Sequence, residues 1–351
     1  MKIVTILGAR PQFIKASVVS TAFKYAGIEE IIIHTGQHFD RMMSDVFFQD
    51  LDLPQPKYHL NIHSLNHGAM TGRMMEKIEE ILIQVKPDWI CVYGDTNSTI
   101  AGALVAAKLD IPVAHIEAGL RSFNRAMPEE INRVVTDHLS QLLFAPTTLA
   151  VKCLENEGIV QGVYLVGDVM MDAILKYLAK AEQTSQILEK LDLVKQKFYL
   201  ATIHRPSNTD DCDRLQAILD NLTQLDKPVV FPMHPRTLTR VQKQKIAHHL
   251  DAIQVIPPVS YLDMLILEKS CQALITDSGG MQKEAYILGR PCFTLRDETE
   301  WQETIKVGWN QLVKPENLQQ ALTSFITPTH SPQLYGEGNA ATHIANILLA
   351  T

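Results

Sequence analysis

The chain has 351 residues and a mass of 39.4 kDa, and its 32 Lys+Arg against 39 Asp+Glu give a formal net charge of −7. This length favours two domains over one, and the acidic balance argues against a nucleic-acid-binding protein. No apolar run approaches the ~20 residues of a membrane-spanning helix, so we expect no membrane insertion. Five cysteines without a CxxC pair favour reduced thiols and a cytoplasmic location.

The first half of the chain alternates short apolar strands with helices. Its apolar runs are continuous, as in strands that are buried on both faces of a parallel sheet. The predicted strands are Lys2–Leu7, Glu30–His34, Trp89–Tyr93, Pro112–Ile116, Leu142–Pro146 and Val163–Val166, and the predicted helices are Met70–Val85, Ser98–Lys108, Pro128–Leu139 and Thr148–Glu157.

A second series of the same kind follows a polar helical stretch that we place near Ala181–Lys197. Its predicted strands are Phe198–Ile203, Pro228–Pro232, Ile253–Ile256, Ala273–Thr276 and Pro291–Leu295, and its predicted helices are Asp211–Leu225, Tyr261–Ser270 and Gly280–Leu288.

Two successive series predict an α/β protein with two Rossmann-like, doubly wound domains that face a central cleft. We assign residues 1–168 to the first domain and 169–337 to the second. In such sheets ligands bind beyond the carboxyl ends of the strands, so functional residues are expected just after each strand.

The loop after the first strand combines a glycine turn with two cations, Arg10 and Lys15. Cations beside a helix N-terminus suit an anionic ligand, although a plain tight turn would explain the glycine equally well. The loop has neither the GxGxxG spacing of a dinucleotide site nor the GKS/T of a P-loop. We therefore expect no nicotinamide cofactor, and no cluster of residues suggests a metal.

Three carboxylates are expected at one edge of the first sheet, namely Asp95, Glu117 and Glu129. Each has a structural alternative: Asp95 could cap a helix, Glu117 could pair with Arg121, and Glu129 could favour a helix dipole. Carboxylates that converge on a cleft can perturb each other's pKa, which separates acid from base roles.

In the second series, Ser278, Gly279 and Gly280 lie between a strand and a helix. Exposed backbone N–H groups at a helix N-terminus can bind a diphosphate, although a flexible turn would have the same sequence. Glu284 follows one helical turn later, where it could accept hydrogen bonds from ribose hydroxyls.

Histidines also follow several of the strands. His204 and the pair His234 and Arg236 follow strands of the second series, and Gln37 and His38 follow the second strand of the first. A histidine in a polar loop is more often a hydrogen-bonding surface residue than a ligand group, and that alternative stays open for His38.

Together these motifs resemble the non-hydrolysing UDP-N-acetylglucosamine 2-epimerase family over nearly the whole chain. The segments that carry the resemblance are GARPQFIK from Gly8, TGQH from Thr35, GDTNST from Gly94, HIEAGLRSFN from His115, MPEEINR from Met127, HR at His204, HPRT at His234, TDSGGMQKEA from Thr276, RDETEWQE from Arg296 and YGEG at Tyr335.

The resemblance implies a glycosyltransferase-B-like fold, a homodimer, and a C-terminal helix at about 338–351 that packs back on the first domain. It also implies roles in supplying surface-polysaccharide precursors. Residue by residue, it implies catalytic roles for Asp95, Glu117, Glu129 and His204, contacts to the diphosphate and reacting centre for Arg10 and Lys15, and nucleotide binding by Ser278, Gly279, Gly280 and Glu284. His234 and Arg236 are further candidates for substrate binding, and Gln37 and His38 for a regulatory site.

Two segments depart from the family pattern. The family commonly has HRRE where this chain reads His204-Arg205-Pro206-Ser207, and TERPE where it reads Thr299-Glu300-Trp301-Gln302-Glu303. The chain looks more like the branch that acts on UDP-2,3-diacetamido-2,3-dideoxy-glucuronate than like the branch that acts on UDP-N-acetylglucosamine.

The chemistry favours a substrate that is a UDP-2-acetamido sugar. Its C2–H is barely acidic, but departure of UDP from C1 acidifies it, so elimination and readdition of UDP can invert C2. That route needs a bound diphosphate and acid–base groups on both faces of C2. A hydrolysing epimerase that releases UDP, a glycosyltransferase on the same fold and a nucleotide-sugar sensor are the alternatives.

Overall fold

The structure, a computed structural model, describes residues 1–37 and 51–351. It divides into two compact units: the first comprises Met1–Leu175 and Gln333–Thr351, and the second comprises Lys176–Pro332. The first unit therefore runs a few residues past the predicted boundary at 168 and takes up the C-terminal segment.

The first unit is built on a parallel sheet with the strand order β3-β2-β1-β4-β5-β6-β7. Its central strands are buried on both faces, which is why their sequences are continuous apolar runs. The strands are β1 Lys2–Leu7, β2 Glu29–His34, β3 Tyr58–His59, β4 Trp89–Tyr93, β5 Val113–Ile116, β6 Leu142–Ala145 and β7 Val163–Leu165.

Helices connect these strands, and one further helix returns from the C-terminal segment. They are α1 Arg10–Tyr25, α2 His67–Val85, α3 Asn97–Lys108, α4 Pro128–Leu139, α5 Thr148–Asn156, α6 Val169–Thr184 and, after the second unit, α15 Ala340–Ala350.

The C-terminal helix α15 packs against α1 and is held at its N-terminus by α6. The carboxylate of Asp172 accepts hydrogen bonds from the backbone N–H groups of Ala340, at 3.3 Å, and Ala341, at 2.9 Å. A carboxylate at this position satisfies donors that the first helical turn cannot satisfy itself.

The second unit has its own parallel sheet, with the order β10-β9-β8-β11-β12-β13. Its strands are β8 Tyr199–Thr202, β9 Val229–Pro232, β10 Gln254–Ile256, β11 Ala273–Thr276, β12 Cys292–Thr294 and β13 Asn310–Leu312. Its helices are α7 Ile187–Lys190, α8 Pro206–Thr209, α9 Cys212–Thr223, α10 Pro235–Lys243, α11 Tyr261–Ser270, α12 Gly279–Ile287, α13 Gln302–Lys306 and α14 Leu318–Ser324, with 3-10 turns at Ala247–Leu250 and Pro315–Asn317.

Both sheets reverse their winding direction once. In the first sheet the chain moves outward from β1 through β2 and then returns to place β4 on the other side of β1. In the second sheet β8 and β11 have the same relation. Loops that leave such a pair of strands diverge, and the crevice between them is where open α/β sheets bind ligands.

The fold differs from the sequence prediction at several points. Strands β3 and β13 were not predicted, because their two and three residues are too few to show a hydrophobic period. Helix α10 was not predicted either, although Pro235 at its first position is a typical helix start. The helical stretch predicted near Ala181–Lys197 contains only the end of α6, which begins at Val169 and ends at Thr184, and the short helix α7, Ile187–Lys190.

Candidate active site

The loops after β1 and β4, at the winding reversal of the first sheet, are tied together by Gln12. Its side-chain Oε1 accepts the backbone N–H groups of Gly8, at 2.8 Å, and Ala9, at 3.0 Å. Its Nε2 donates to the carbonyl of Tyr93, at 2.8 Å, and to Thr99 Oγ1, at 3.1 Å. Because Gln12 is buried, these bonds fix both loops against each other.

A buried ion pair joins helix α1 to the end of β5. Lys15 and Glu117 are 7% and 8% exposed, and Lys15 Nζ contacts Glu117 Oε2. Glu117 has a φ of +70°, a left-handed conformation that costs a non-glycine residue of order 1–3 kcal/mol. Its carboxylate lies beside the end of β4, since a Cβ added at Gly94 would be 3.1 Å from Glu117 Oε2. Arg10 is the first residue of α1, the helix that contains Lys15.

A second ion pair orients Asp95, which follows β4. Arg133 in α4 contacts Asp95 Oδ2 through Nη2 and Glu130 Oε2 through Nη1, the latter at 2.7 Å. Glu130 is 2% exposed and also accepts the backbone N–H of Ser122 at 2.9 Å, so its role is structural. Its neighbour Glu129 lies one helical turn before Arg133 and is half-buried, on the same side of α4 as that arginine.

The structural alternatives for two of the carboxylates are wrong. Thr96, not Asp95, caps helix α3, because its side chain accepts the hydrogen bond from the first turn. Arg121 does not pair with Glu117; it contacts Asp137 Oδ2 at 2.7 Å instead. Asp95 and Glu117 are therefore both held at the sheet edge by cations from neighbouring helices.

Gln37 lies against the N-terminus of α3. Its Oε1 accepts the backbone N–H of Ser98 at 3.1 Å and the Ser98 hydroxyl at 2.8 Å. His38 lies outside the described residues. A regulatory role for this segment stays a prediction.

In the second unit, Ser278 directly precedes α12, and Gly279 and Gly280 are the first two residues of that helix, which follows β11 at the winding reversal. A Cβ added at Gly279 would lie 2.2 Å from Glu300 Oε1, so packing requires glycine there. A Cβ added at Gly280 would meet nothing within 4 Å. The backbone at the start of α12 is therefore open to a ligand, and the helix dipole favours an anionic one.

Glu284 lies one turn further along α12 and is 6% exposed. Burial and the charges of Glu284 and Glu268 raise the pKa of Tyr261 well above its usual value, and the Tyr261 hydroxyl hydrogen-bonds to Glu284. On the same helix Lys283, 1% exposed, lies 4.0 Å from the centre of the Trp301 ring. Trp301, where the family commonly has arginine, thus covers a buried cation.

His204, after β8, is held by Asp277, after β11. The buried Asp277 carboxylate accepts the backbone N–H groups of His204, at 3.1 and 3.0 Å, and Arg205, at 2.9 Å. Asp277 Oδ1 also lies 3.3 Å from His204 Nδ1. Desolvation lowers the pKa of His204; Asp277 opposes this, while the charges of Arg205 and Arg236 add to the lowering. A neutral imidazole at neutral pH can accept a proton.

His234 and Arg236 lie at the start of α10. His234 Nδ1 accepts the backbone N–H of Arg236 at 3.2 Å, which makes this histidine the helix cap. The rings of His234 and His204 are 6.1 Å apart. Arg236 is exposed and binds both oxygens of Asp210, at 3.0 and 3.1 Å, so contact with a substrate would have to compete with that pair.

Three residues at these edges were missed by sequence reasoning. Arg133, Asp277 and Gln12 each hold a predicted residue or its loop in place. The signals for two of them were weak but present: Arg133 is four residues after Glu129 in a predicted helix, and Asp277 directly precedes Ser278.

Residues 1–37 and 51–351 contain no group of three His, Cys, Asp or Glu side chains that could hold a metal ion. In the same part of the chain, no helix is long and apolar enough to cross a membrane.

Solved structures confirm the predicted fold class, a two-domain α/β fold of the glycosyltransferase-B-like kind. The UDP-GlcNAc 2-epimerase of Methanocaldococcus jannaschii, in complex with UDP-GlcNAc and UDP, matches with a TM-score of 0.95 and 44% identity over 100% of both chains. The enzyme of Neisseria meningitidis bound to UDP-GlcNAc matches with a TM-score of 0.90 and 30% identity, again over 100% of both chains.

The sequence identifies the family within that class. The pattern of the UDP-N-acetylglucosamine 2-epimerase family matches residues 22–349. The chain is 49% identical over 355 residues to a UDP-N-acetylglucosamine 2-epimerase homolog of Methanococcus maripaludis, and 50% identical over 360 residues to the UDP-2,3-diacetamido-2,3-dideoxy-D-glucuronate 2-epimerase of Pseudomonas aeruginosa, with 99% of each chain covered in both cases. The chain belongs to the UDP-N-acetylglucosamine 2-epimerase family.

Proposed function

We propose that this chain inverts C2 of a UDP-2-acetamido sugar by elimination and readdition of UDP. Its family membership already makes it a C2 epimerase of UDP-sugars. The observation that carries the proposal is the pair of cation-bound carboxylates, Asp95 and Glu117, at the winding reversal of the first sheet. Acid–base chemistry at a carbon requires groups that are fixed in direction, and ion pairing fixes both.

The reaction balances without an external electron acceptor. A base removes the C2 proton, the C2–H electron pair forms the C1=C2 double bond, and the C1–O pair leaves with UDP. Readdition of UDP to C1 and delivery of a proton to the opposite face of C2 give the inverted sugar. The charge that develops on the departing diphosphate has to be stabilised in the transition state.

The second unit supplies groups suited to the nucleotide. In this proposal the open backbone at Ser278, Gly279 and Gly280 binds the diphosphate, and Glu284, oriented by Tyr261, accepts hydrogen bonds from ribose hydroxyls. The lowered pKa of His204 supports a role for its imidazole in taking up or returning a proton.

The first unit supplies the remaining acid–base candidates, Asp95, Glu117 and Glu129. Arg10 and Lys15 at the start of α1 add positive charge to the same edge.

Exchange of the C2 hydrogen with solvent tests the mechanism. In D2O the 2-epimer should carry deuterium at C2, because the proton is removed and redelivered. The Asp95→Asn variant should lower kcat at least ~10²-fold if Asp95 takes part in proton transfer. Protium fully retained in an inverted product would contradict elimination.

The same incubation separates the alternative functions. A hydrolysing epimerase would release UDP and a free 2-epimerised sugar, and a glycosyltransferase would need an added acceptor. An epimerase returns UDP-linked product from the nucleotide sugar alone, which NMR identifies directly.

We further propose UDP-2,3-diacetamido-2,3-dideoxy-glucuronate as the preferred sugar. The departures at Pro206, Ser207, Asn208 and Trp301 support this, and one of the relatives, at 50% identity, is the Pseudomonas aeruginosa enzyme for that sugar. The test compares kcat/KM for the two sugars. An equal or higher value for UDP-N-acetylglucosamine would reverse the assignment.

A homodimer and a cytoplasmic location complete the proposal. The five cysteines form no disulfide in the described part of the chain, which suits a reducing compartment. Light scattering after gel filtration gives the oligomeric state directly, and a mass of one chain would contradict the dimer.

A further inference from the structure

A buried histidine in β5 touches the loop of a proposed catalytic residue without being part of the proposed chemistry. His115 is 0% exposed. Its Nδ1 lies 2.7 Å from Asp137 Oδ1, and its Nε2 lies 2.7 Å from the carbonyl oxygen of Gly94. Each ring nitrogen therefore faces an oxygen.

Asp137 is in its ionised form. Its Oδ2 accepts hydrogen bonds from Arg121 Nη1, at 2.7 Å, and from the backbone N–H of Gly119, at 3.1 Å. A buried carboxylate that accepts hydrogen bonds from an arginine guanidinium and from a backbone N–H is held in its ionised form by those two donors, whatever the charge of His115.

An ionised carboxylate and a backbone carbonyl can only accept hydrogen bonds. Both nitrogens of His115 must then carry a hydrogen, which makes the ring an imidazolium ion.

The charges around this ring are balanced. Arg121 also makes a bidentate ion pair with Glu157: Nε donates to Oε1 and Nη2 donates to Oε2, each at 2.7 Å. Two cations, His115 and Arg121, thus alternate with two carboxylates, Asp137 and Glu157. His138 Nε2, on the more exposed side, lies 3.7 Å from Glu157. A buried charge is tolerated when it is paired and hydrogen-bonded in this way.

The four charged residues His115, Arg121, Asp137 and Glu157 form a network that binds the main chain at two points. The first point is the peptide group between Gly94 and Asp95. Gly94 donates its N–H to the carbonyl of Ile116, at 3.0 Å, and its carbonyl accepts from His115. Gly94 has a φ of +59°, so the chain turns sharply there. The direction in which Asp95 leaves β4 is set by both bonds.

The second point at which the network binds the main chain is the turn after Glu117. Gly119 has a φ of +82° and its N–H is bound by Asp137. This bond closes a turn in which Glu117 itself is held at positive φ. Strained conformations persist only where surrounding contacts hold them.

We propose that His115 is a buried imidazolium ion that, together with Asp137, positions Asp95 and Glu117 for proton transfer. The proposal adds two positioning residues to the proposed epimerase reaction and rests on it for its kinetic part, whereas the charge state of His115 can be measured without any substrate.

The first experiment is NMR of the full chain with labelled histidines. At pH 8, one buried ring should show two N–H protons that exchange slowly with water, and this signal should be missing in His115→Gln. In Asp137→Asn the ring should lose one of the two protons. Absence of any doubly protonated, slowly exchanging ring in the unsubstituted protein would overturn the proposal, whether or not the variants fold.

The second experiment is kinetic and uses folded variants. His115→Asn can still donate to Asp137 but cannot reach Gly94, and His115→Gln can reach Gly94 but has no charge for Asp137. Both variants should lower kcat ~10–100-fold while KM stays within ~3-fold, because misplaced catalytic groups affect turnover first. The matched control is His138→Asn on the same helix as Asp137, which should keep the parent kcat.

Failure of this proposal can be distinguished from failure of the proposed epimerase function. If solvent deuterium fails to enter C2, the elimination mechanism is lost but the charge state of His115 stands on the NMR result. If deuterium enters and both His115 variants fold with a kcat within twofold of the parent, the positioning role is wrong.

Discussion

Gln12 shows how much a single side chain contributes to the edge of the first sheet. Its amide joins the loop that carries Arg10 to the loop that carries Asp95 through four bonds between buried groups and a fifth, at 3.0 Å, to the part-buried Thr96 hydroxyl. The geometry of the proposed acid–base groups therefore depends on a neutral residue.

Replacing Gln12 by alanine should lower both stability and turnover. The N–H groups of Gly8 and Ala9 would lose the side-chain oxygen that accepts their hydrogen bonds, and a buried group without a partner costs about 1–3 kcal/mol. The carbonyl of Tyr93 would keep its hydrogen bond from the Thr99 hydroxyl, at 2.6 Å. Urea unfolding measures the stability, and the epimerase assay measures kcat. Gln319→Ala, at an exposed position of α14, is the control and should change neither. An unchanged unfolding midpoint in Gln12→Ala would show that the loops hold without it.

Glu30 makes stability depend on pH. Glu30 is half-buried beside Thr5, whose hydroxyl donates to Glu30 Oε1 at 2.5 Å, and desolvation raises the pKa of the Glu30 carboxyl group above the ordinary value of 4.5. The folded state then favours the protonated form, so this stability is complete below the unfolded pKa and is lost as pH rises through the folded pKa.

Glu30→Gln should therefore stabilise the protein at pH 8 relative to the parent and have a smaller effect at pH 4. The amide keeps the size of the side chain and the hydrogen bond from Thr5, but it cannot ionise. Urea unfolding of parent and variant at both pH values gives the difference. The same difference at pH 4 and pH 8 would argue against a buried, titrating carboxyl group.

At the scale of elements, the strands were predictable and their side-chain partners were not. Strands β1, β4 and β11 could be located because a strand that is buried on both faces is a continuous apolar run in the sequence. The pairing of Arg133 with Asp95 depends on how α4 packs beside the sheet, which no local pattern encodes. Sequence reasoning therefore located the correct edges but missed the groups that orient Asp95 and His204.

Asp172 should be the most sensitive contact of helix α15. Asp172→Ala removes the acceptor for two backbone N–H groups at the start of that helix, and losing a cap costs about 0.5–2 kcal/mol. Hydrogen exchange should accelerate in α15 and in the facing part of α1. Asp172→Asn keeps one acceptor oxygen and should show a smaller effect. Equal exchange in parent and alanine variant would mean that packing alone holds the helix.

At the scale of the whole molecule, the proposal assigns nucleotide binding to the second unit and most of the proton transfer to the first, with His204 of the second unit as the exception. Substitutions at Ser278, Gly280 or Glu284 should then change UDP affinity, whereas carboxylate substitutions in the first unit should change turnover. This division follows from the distribution of residue types: the first sheet edge carries Asp95, Glu117 and Glu129, and the second carries the open glycine turn.

Glu284→Ala should weaken UDP binding by about 1–3 kcal/mol, the scale for losing hydrogen bonds to a charged group. Tyr261→Phe removes only the hydroxyl that orients Glu284 and should weaken it less. Asp95→Asn is the matched variant in the first unit and should leave UDP affinity within ~2-fold, since it removes basicity but keeps size. Calorimetry with UDP measures all three. Unchanged affinity in a folded Glu284→Ala variant would remove the ribose assignment.

The division of the chain also has a consequence during synthesis. The ribosome makes Met1–Leu175, then all of the second unit, and only then Gln333–Thr351, which includes the helix that covers α1. The first unit can begin to form before its last helix is synthesised. The apolar surface of α1 that α15 contacts therefore stays exposed while the 157 residues Lys176–Pro332 are translated. Exposed apolar surface of this kind is what chaperones bind. The nascent chain is thus most vulnerable to aggregation late in translation, after much of its fold is already in place.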